Sequence, residues 1–206
     1  MIGYYNYTVI LTYIGTLFGF VGITYTWNGN LKMALVCLMV AGFCDMFDGK
    51  IASTRERTRQ EKRFGIQIDS LSDLICFGVL PALIVFQCSG GKVFHVLASA
   101  AYVLCALIRL AWFNVDEEER QDVEKKGREA YLGMAVTTAA MLLPLFVGSA
   151  QFLNLALDKI CPWLLLVIAA AFLSPFHLKK PNTAGKILLV FCGLATLALV
   201  LIGVKV

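Results

Sequence analysis

The sequence predicts an all-α integral membrane protein, and two observations support that prediction. Hydrophobic residues make up 59% of the 206 positions, and the mean hydropathy is +0.75, whereas roughly half of the residues of a soluble domain are apolar. These residues are also gathered into continuous stretches, several of which approach the ~20 residues that a bilayer-spanning helix needs.

Seven apolar segments follow one another, and we expect each to form a helix. They run over residues 7–27, 31–49, 66–88, 92–114, 132–152, 159–176 and 185–204. The first has no basic residue ahead of it, so we expect it to stay in the protein as a membrane helix rather than to act as a cleaved signal peptide. No repeat or long linker is visible, so residues 1–206 are predicted to form a single membrane-embedded domain.

The links between these segments differ sharply in charge. The first, third and fifth links carry only Lys32, Lys92 and Lys159. The second, fourth and sixth links carry 13 basic residues: Lys50, Arg55, Arg57, Arg59, Lys62, Arg63, Arg120, Lys125, Lys126, Arg128, Lys179, Lys180 and Lys186. Because basic residues accumulate in cytoplasmic links, the even-numbered links and the N-terminus are predicted to face the cytoplasm of a multi-pass cell-membrane protein.

Four aspartates lie beside the second link, where two apolar segments end and begin. Asp45 and Asp48 are three residues apart, and Asp69 and Asp73 are four apart. On a helix, each spacing places both side chains on one face. Two helices could therefore direct two acids each toward a shared site.

The free-energy cost of placing these charged aspartates in a membrane decides between two interpretations. A charged Asp at the centre of a spanning helix costs about 2.5 to 3.5 kcal/mol, so four would cost roughly 10 to 14 kcal/mol at full depth and less near the interface. Simple helix capping, or pairing with the arginines of residues 55–63, would explain a lone Asp. Four acids at paired spacings favour divalent cations, because paired metal ions held by carboxylates support displacement at phosphorus. Mg²⁺ or Mn²⁺ suits such all-oxygen ligands.

The pattern resembles the signature of the CDP-alcohol phosphatidyltransferase family. That signature reads D-x-x-D-G-x-x-A-R, a spacer of about eight or nine residues, then G-x-x-x-D-x-x-x-D. Residues 45–73 read "DMFDGKIAS", "TRERTRQEKRF" and "GIQIDSLSD". Two departures stand out: Ser53 replaces the arginine, and the spacer has 11 residues. Arg55, Arg57 or another basic residue of the link is the expected replacement, and the sequence leaves open which.

The resemblance implies a fold, an activity and a set of site residues. The fold would be a six-helix membrane bundle, usually homodimeric, to which the seventh segment adds a C-terminal helix. Two divalent ions would be held by Asp45, Asp48, Asp69 and Asp73 at the cytoplasmic interface, and Asp73 is the expected general base. Contacts to the nucleotide or CDP-lipid would come from Thr12, Asp48, Gly49, Ala52, Ser53 and Gly65.

Further stretches are similar to the phosphatidylserine synthase branch of this family. They are "FGIQIDSLSDLICFGVLPA" (64–82), "IRLAWFN" (108–114) and "YLGMAVTTAA" (131–140). The branch implies CDP-diacylglycerol and L-serine as substrates, with phosphatidylserine and CMP as products. Arg109 lies inside an apolar segment, and a buried arginine needs a partner; a serine carboxylate would be a good bidentate one, although snorkelling or pairing with an aspartate remains possible. Asn114 and Tyr131 are the other acceptor-binding candidates.

Two alternatives remain. Another acceptor within the same family, such as glycerol 3-phosphate, inositol phosphate or a lipid alcohol, would need a further basic cluster if the acceptor is phosphorylated. A cation channel or transporter would distribute its acids through the membrane depth and between repeated halves. No nucleic-acid-binding motif is present, so no nucleic-acid partner is expected.

Overall fold

The computed structural model describes residues 3–88, 92–123, 130–179 and 183–204, and this part of the chain is helical except for one short ribbon. We number its helices α1 to α7. Their bounds are Ile10–Trp27, Leu31–Ala52, Arg59–Cys88, Val93–Val123, Ala139–Phe152, Leu157–Leu173 and Thr183–Gly203. Two strands, β1 (Ala130–Leu132) and β2 (His177–Lys179), pair in antiparallel register. The predicted all-α class is confirmed, and α7 is the expected additional helix.

Three spans in the described ranges are long and apolar enough to cross a bilayer: Tyr7–Trp27, Arg59–Cys88 and Val93–Glu119. Two shorter apolar helices cover Val136–Phe152 and Leu188–Gly203. Many large apolar side chains point outward, among them Leu17, Phe20, Leu97, Val167 and Phe191. An apolar exterior of this extent suits contact with lipid rather than with water.

Three predicted helix boundaries were wrong. Two helices extend beyond their predicted ends because hydropathy marks only the apolar part of a helix, and α5 begins at Ala139 although its apolar segment begins at residue 132. The second link is shorter than predicted: α3 begins at Arg59, where Thr58 and Glu61 form a reciprocal capping box that satisfies otherwise unpaired backbone N–H groups. Similarly, α4 continues past residue 114 to Val123. The amide Nε2 of Gln67 on α3 donates to Glu118 Oε1 on α4 at 3.0 Å, so the two polar extensions support each other.

Helix α1 packs closely against α2 and α3 because glycines line its inner face. A Cβ at Gly19 would lie 2.5 Å from Cys76 Sγ, and one at Gly22 would lie 2.7 Å from a methyl carbon of Leu80. A larger residue at either position would require the side chain of Cys76 or Leu80 to move. Small residues commonly permit such close packing of membrane helices, and here they bring α1 against the aspartate-bearing segments.

A π-helical segment, Leu74–Val79, interrupts α3 immediately after Asp73. Pro81 follows and has no N–H to donate to the carbonyl of Phe77, four residues earlier. The buried Tyr102 hydroxyl of α4 donates to that carbonyl instead, at 2.6 Å. The interior around this point contains Leu35, Leu38, Phe77, Leu80, Tyr102, Leu143, Leu165 and Phe172.

Candidate metal centre

Four aspartates from two helices meet in the space between α1, α2 and α3. Asp45 and Asp48 lie near the end of α2, and Asp69 and Asp73 lie on α3. Carboxylate oxygens of Asp45, Asp48 and Asp69 all lie within 4.8 Å of one another. The two helices thus direct their acidic faces toward each other.

Asp73 belongs to the same group. It lines the same cavity as the other three aspartates. Asp73 also adjoins the π-helical segment, and π-bulges occur frequently at functional sites.

The cavity between these aspartates is small and contains no counter-charge. Its volume is only about 10 Å³, and its other lining residues are apolar or weakly polar: Leu11, Thr12, Gly15, Ala41, Ser72, Cys76 and Phe77. No lysine or arginine of the described ranges lines it. Two ionised carboxylates at this separation repel by about 3 to 4 kcal/mol at an effective dielectric constant near 20. The arrangement therefore needs bound cations or bound protons.

The donor set fits a divalent cation. Three half-buried carboxylates converge, the fourth is adjacent, and no soft sulfur or imidazole ligand is needed. Hard cations such as Mg²⁺ and Mn²⁺ take oxygen ligands of this kind. The volume suits ions and not a nucleotide, so a nucleotide would lie outside the cavity and reach it only with its phosphates.

Helix α1 adds a layer of hydroxyl groups beside the acids. Thr12, predicted near the nucleotide, is buried, and its Oγ1 donates to Asp48 Oδ2 at 3.4 Å. Thr16 Oγ1 donates to Ser72 Oγ at 2.7 Å. These contacts connect α1 to both acidic helices and orient Asp48.

The predicted contact residues at the end of α2 differ in their surroundings. Gly49 is exposed, and nothing lies within 4 Å of the position that a Cβ would take. Gly49 directly follows Asp48 in the chain, so the space beside Asp48 at this position is open. Ala52 is half-buried at the last position of α2, while Ser53 is exposed and its hydroxyl donates to the Lys50 carbonyl at 2.7 Å.

Gly65, the other predicted glycine, faces an arginine. A Cβ at Gly65 would lie 3.0 Å from Nη1 of Arg57. Gly65 precedes Asp69 by one helical turn, so this guanidinium lies along the same face of α3 as the acids. The sequence had left several basic residues of the link as equal candidates to replace the arginine that is missing at Ser53.

Arg109 is buried, as its position predicted, with 8% of its surface exposed. Its Nε donates to the Met134 carbonyl at 3.2 Å, and its guanidinium lies over the Phe113 ring, 6.0 Å from the centroid. Arg109 does not line the aspartate cavity. The structure therefore places it against the segment that leads from β1 into α5.

Asn114 bridges α4 and α3. Its Oδ1 accepts from Ser70 Oγ at 2.5 Å, and its Nδ2 donates to Gln67 Oε1 at 3.3 Å. Tyr131 pairs through its backbone with Leu178, and its side chain lies outside the described part of the structure. Asn114 does not line the aspartate cavity.

Sequence reasoning missed the polar side chains that support the acids. Ser72 and Cys76 line the cavity, and Thr16 bonds to Ser72. Thr12 and Thr16 stand four residues apart on α1, and Ser72 directly precedes Asp73. A helical stripe of hydroxyls in an apolar segment was the available signal, but hydroxyls in membrane helices often bond only to their own backbone.

The chain was compared with known proteins. A sequence model described as CDP-alcohol phosphatidyltransferase matches residues 5–173. A Saccharomyces cerevisiae protein named CDP-diacylglycerol–serine O-phosphatidyltransferase is 37% identical over 108 residues, which cover 51% of this chain and 38% of that protein. An archaetidylserine synthase of Methanothermobacter thermautotrophicus is 26% identical over 85% of this chain and 70% of its own length.

A Helicobacter pylori protein, also named CDP-diacylglycerol–serine O-phosphatidyltransferase, is 27% identical over 184 residues. That match covers 86% of this chain and 73% of the relative. The chain therefore spans well under half of the yeast relative's length but most of the archaeal and Helicobacter relatives.

Proposed function

This chain belongs to the CDP-alcohol phosphatidyltransferase family, and we propose that it transfers a phosphatidyl group from CDP-diacylglycerol to L-serine, giving phosphatidylserine and CMP. The observation that carries the proposal is the convergence of the four signature aspartates in one cavity. The names of the yeast and Helicobacter relatives support serine as the acceptor.

Asp45, Asp48 and Asp69 would hold two divalent ions, Mg²⁺ or Mn²⁺, together with Asp73. Such ions neutralise the diphosphate and stabilise the charge that develops on the transferring phosphorus. Asp48 is held for this task by the Thr12 hydroxyl. The exposed Gly49 leaves room for the CDP-lipid to approach Asp48.

Asp73 is the proposed general base for the serine hydroxyl. It lies at the inner end of the acidic face of α3, next to the π-helical segment. It lines the cavity together with Asp45, Asp48 and Asp69. In the bound complex the serine hydroxyl must come within about 3 Å of this carboxylate.

Arg109 is the proposed partner of the serine carboxylate. The bond from its Nε to Met134 fixes the plane of the guanidinium, and a fixed planar fork recognises a carboxylate specifically. Asn114 would position α3 against α4 through Ser70 and Gln67. Tyr131 remains a proposed contact of the acceptor.

The active site is proposed to face the cytoplasm of a cell-membrane protein that works as a homodimer. Lipid tails would enter from the bilayer between helices, and serine would arrive from the cytoplasm. In a cysteine-free background, a cysteine replacing the exposed Glu56 should resist an impermeant thiol reagent in intact cells and react once the membrane is opened. Labelling in intact cells would reverse the proposed topology.

The decisive experiment is a CMP-release assay with an acceptor panel. Purified protein is incubated with CDP-diacylglycerol, Mg²⁺ or Mn²⁺, and either serine, glycerol 3-phosphate, inositol phosphate or a lipid alcohol, and the lipid product is identified by mass spectrometry. Of these acceptors, we expect only serine to give rapid CMP release. Release with a different acceptor would keep the reaction type and reject serine, whereas no release with any acceptor would reject the transferase proposal.

A further inference from the structure

The segment between α2 and α3, residues 53–58, is held in place by side-chain contacts. The Tyr7 hydroxyl and Thr54 Oγ1 lie 3.1 Å apart, and Arg55 pairs with Glu61 at 3.7 Å. Glu61 also accepts from Asn6 Nδ2 at 3.1 Å and completes the capping box with Thr58. The segment is therefore fixed on both sides of Arg57.

Arg57 differs from its neighbours in this segment. It is half-buried, whereas Arg55, Glu56 and Thr58 are exposed. Its Nη1 lies 3.0 Å from the point that a Cβ of Gly65 would occupy, so the absence of a side chain at Gly65 provides the space for the guanidinium. The backbone course, fixed as described above, directs this one arginine inward.

The position of Gly65 gives this contact its significance. Gly65, Asp69 and Asp73 follow one another at four-residue intervals on α3, so they share one face of the helix. Arg57 therefore lies about one turn from the nearest metal-site carboxylate, at the outer end of the acidic face. The guanidinium of Arg57 therefore lies next to the space into which a phosphate group bound at the aspartate site would extend.

Both departures from the family signature are explained by this arrangement. Ser53 replaces the expected arginine, and its hydroxyl is bonded to the Lys50 carbonyl, so position 53 supplies no cation. The spacer is longer than usual, and it contains Arg57, whose guanidinium lies over Gly65. One change removes the charge, and the other supplies it from a different position.

We propose that Arg57 binds the diphosphate of the CDP-linked substrate, in place of the arginine that is missing at Ser53. This inference rests on the proposed function. Guanidinium donors match pairs of phosphate oxygens, so Arg57 would contact the diphosphate from the Gly65 side while the aspartate site holds the other side. Because the segment is already fixed, little conformational entropy is lost when the substrate binds.

The test compares single charge losses in the same region. Arg57→Gln removes the proposed contact, Arg59→Gln removes an exposed arginine at the first position of α3, and Lys62→Gln removes an exposed charge on the first turn of α3. We expect Arg57→Gln to raise the KM for CDP-diacylglycerol about ten- to hundred-fold and to leave the KM for serine unchanged. The two controls should change either KM by less than about threefold, as exposed charges usually do.

A rescue variant separates binding from folding. Ser53→Arg, introduced into the Arg57→Gln protein, restores the family's arginine and should recover most of the lost affinity. Arg57→Lys keeps the charge without the planar fork and should fall between the wild type and Arg57→Gln. Binding of CDP in the presence of Mg²⁺, measured by calorimetry on the same proteins, should follow the same order without any turnover.

The outcomes distinguish this inference from the proposed function. If the wild type makes phosphatidylserine and Arg57→Gln matches the two controls, Arg57 is not the diphosphate ligand, and the proposed function stands. An equal rise in both KM values, or no rescue by Ser53→Arg, would also overturn the inference. If the wild type binds CDP but does not use serine, the acceptor is wrong, and the order of the CDP affinities still decides the role of Arg57. If the wild type does not bind CDP, both proposals fail.

Discussion

The two ends of the helix bundle differ in whether their charged side chains are paired. At the end where α4 and α6 begin, Lys92 pairs with Asp158 at 3.3 Å, and the buried His95 donates through Nε2 to the Asp158 carbonyl at 2.6 Å. At the aspartate end, four acids surround a cavity that no described basic residue lines. At the first end, negative and positive side chains pair within the protein. At the second end, the described residues that line the cavity supply no positive charge to the aspartates.

This difference separates a structural role from a functional one. A balanced group such as Lys92–Asp158 needs nothing from outside the protein and contributes modestly to stability. An unbalanced group such as the four aspartates lowers the stability of the folded chain until something positive binds. Charge that the protein does not neutralise therefore marks the site where ligands are expected.

The largest effect should come from neutralising one acid at the unbalanced end. Asp69→Asn keeps the size of the side chain and removes a metal-ligand charge, so transferase activity should fall about a hundred- to a thousand-fold, as for other groups that stabilise transition-state charge. Asp45, Asp48 and Asp73 should behave in the same way, as measured by CMP release over a range of Mg²⁺ and Mn²⁺ concentrations. Near-normal turnover in any of the four Asn variants would remove that residue from the metal site.

The same substitution should have the opposite effect on the stability of metal-free protein. Asp69→Asn relieves repulsion, so the thermal midpoint in EDTA should be equal to or above that of the wild type. Adding Mg²⁺ or Mn²⁺ at a hundred times the dissociation constant should stabilise the wild type by about 2.7 kcal/mol and the variant much less. A metal response of equal size in both proteins would mean that the ions bind elsewhere.

Arg109 tests the comparison with a buried charge of the other sign. If it binds the serine carboxylate, Arg109→Lys should raise the KM for serine roughly ten- to hundred-fold through the loss of a charge-assisted hydrogen bond. The KM for CDP-diacylglycerol should change little. Serine amide, which lacks the carboxylate, should be a poor acceptor and should be less sensitive to the substitution.

Steady-state kinetics with each substrate varied in turn would decide the role of Arg109. An unchanged serine KM would assign Arg109 to the fold, where its bond to Met134 already connects α4 with the segment before α5. An equal loss for both substrates would exclude a specific role in serine recognition.

The smallest effect is expected at the balanced end. Asp158→Asn removes the pairing with Lys92, which is largely exposed, and such exposed pairs contribute about 0.2 to 1 kcal/mol. Thermal unfolding should show a loss of that size, and CMP release should stay within twofold of the wild type. A large loss of activity would contradict the division of the molecule into a structural and a functional end.

Several features of this protein follow from local sequence alone. Hydropathy located all seven helices, because burying apolar side chains in lipid or protein favours helices that satisfy their own backbone. The three- and four-residue spacings of the aspartates placed each pair on one helix face, because the α-helix has 3.6 residues per turn. Helix ends were less accurate, since the capping box at Thr58 and the contact between Gln67 and Glu118 extend helices beyond their apolar parts.

Contacts between helices were decided only by packing. The close approach that Gly19 and Gly22 permit sets where α1 meets α3, and hence which hydroxyls reach Asp48 and Ser72. The inward direction of Arg57 depends on a glycine eight residues away and on contacts with the N-terminal segment. Asn114 and Arg109 were both predicted to bind the acceptor, yet Asn114 bridges two helices and Arg109 bonds to a backbone carbonyl. Periodicity describes the faces of a single helix, whereas the partner of each face depends on how side-chain volumes fit between helices, which no local pattern specifies.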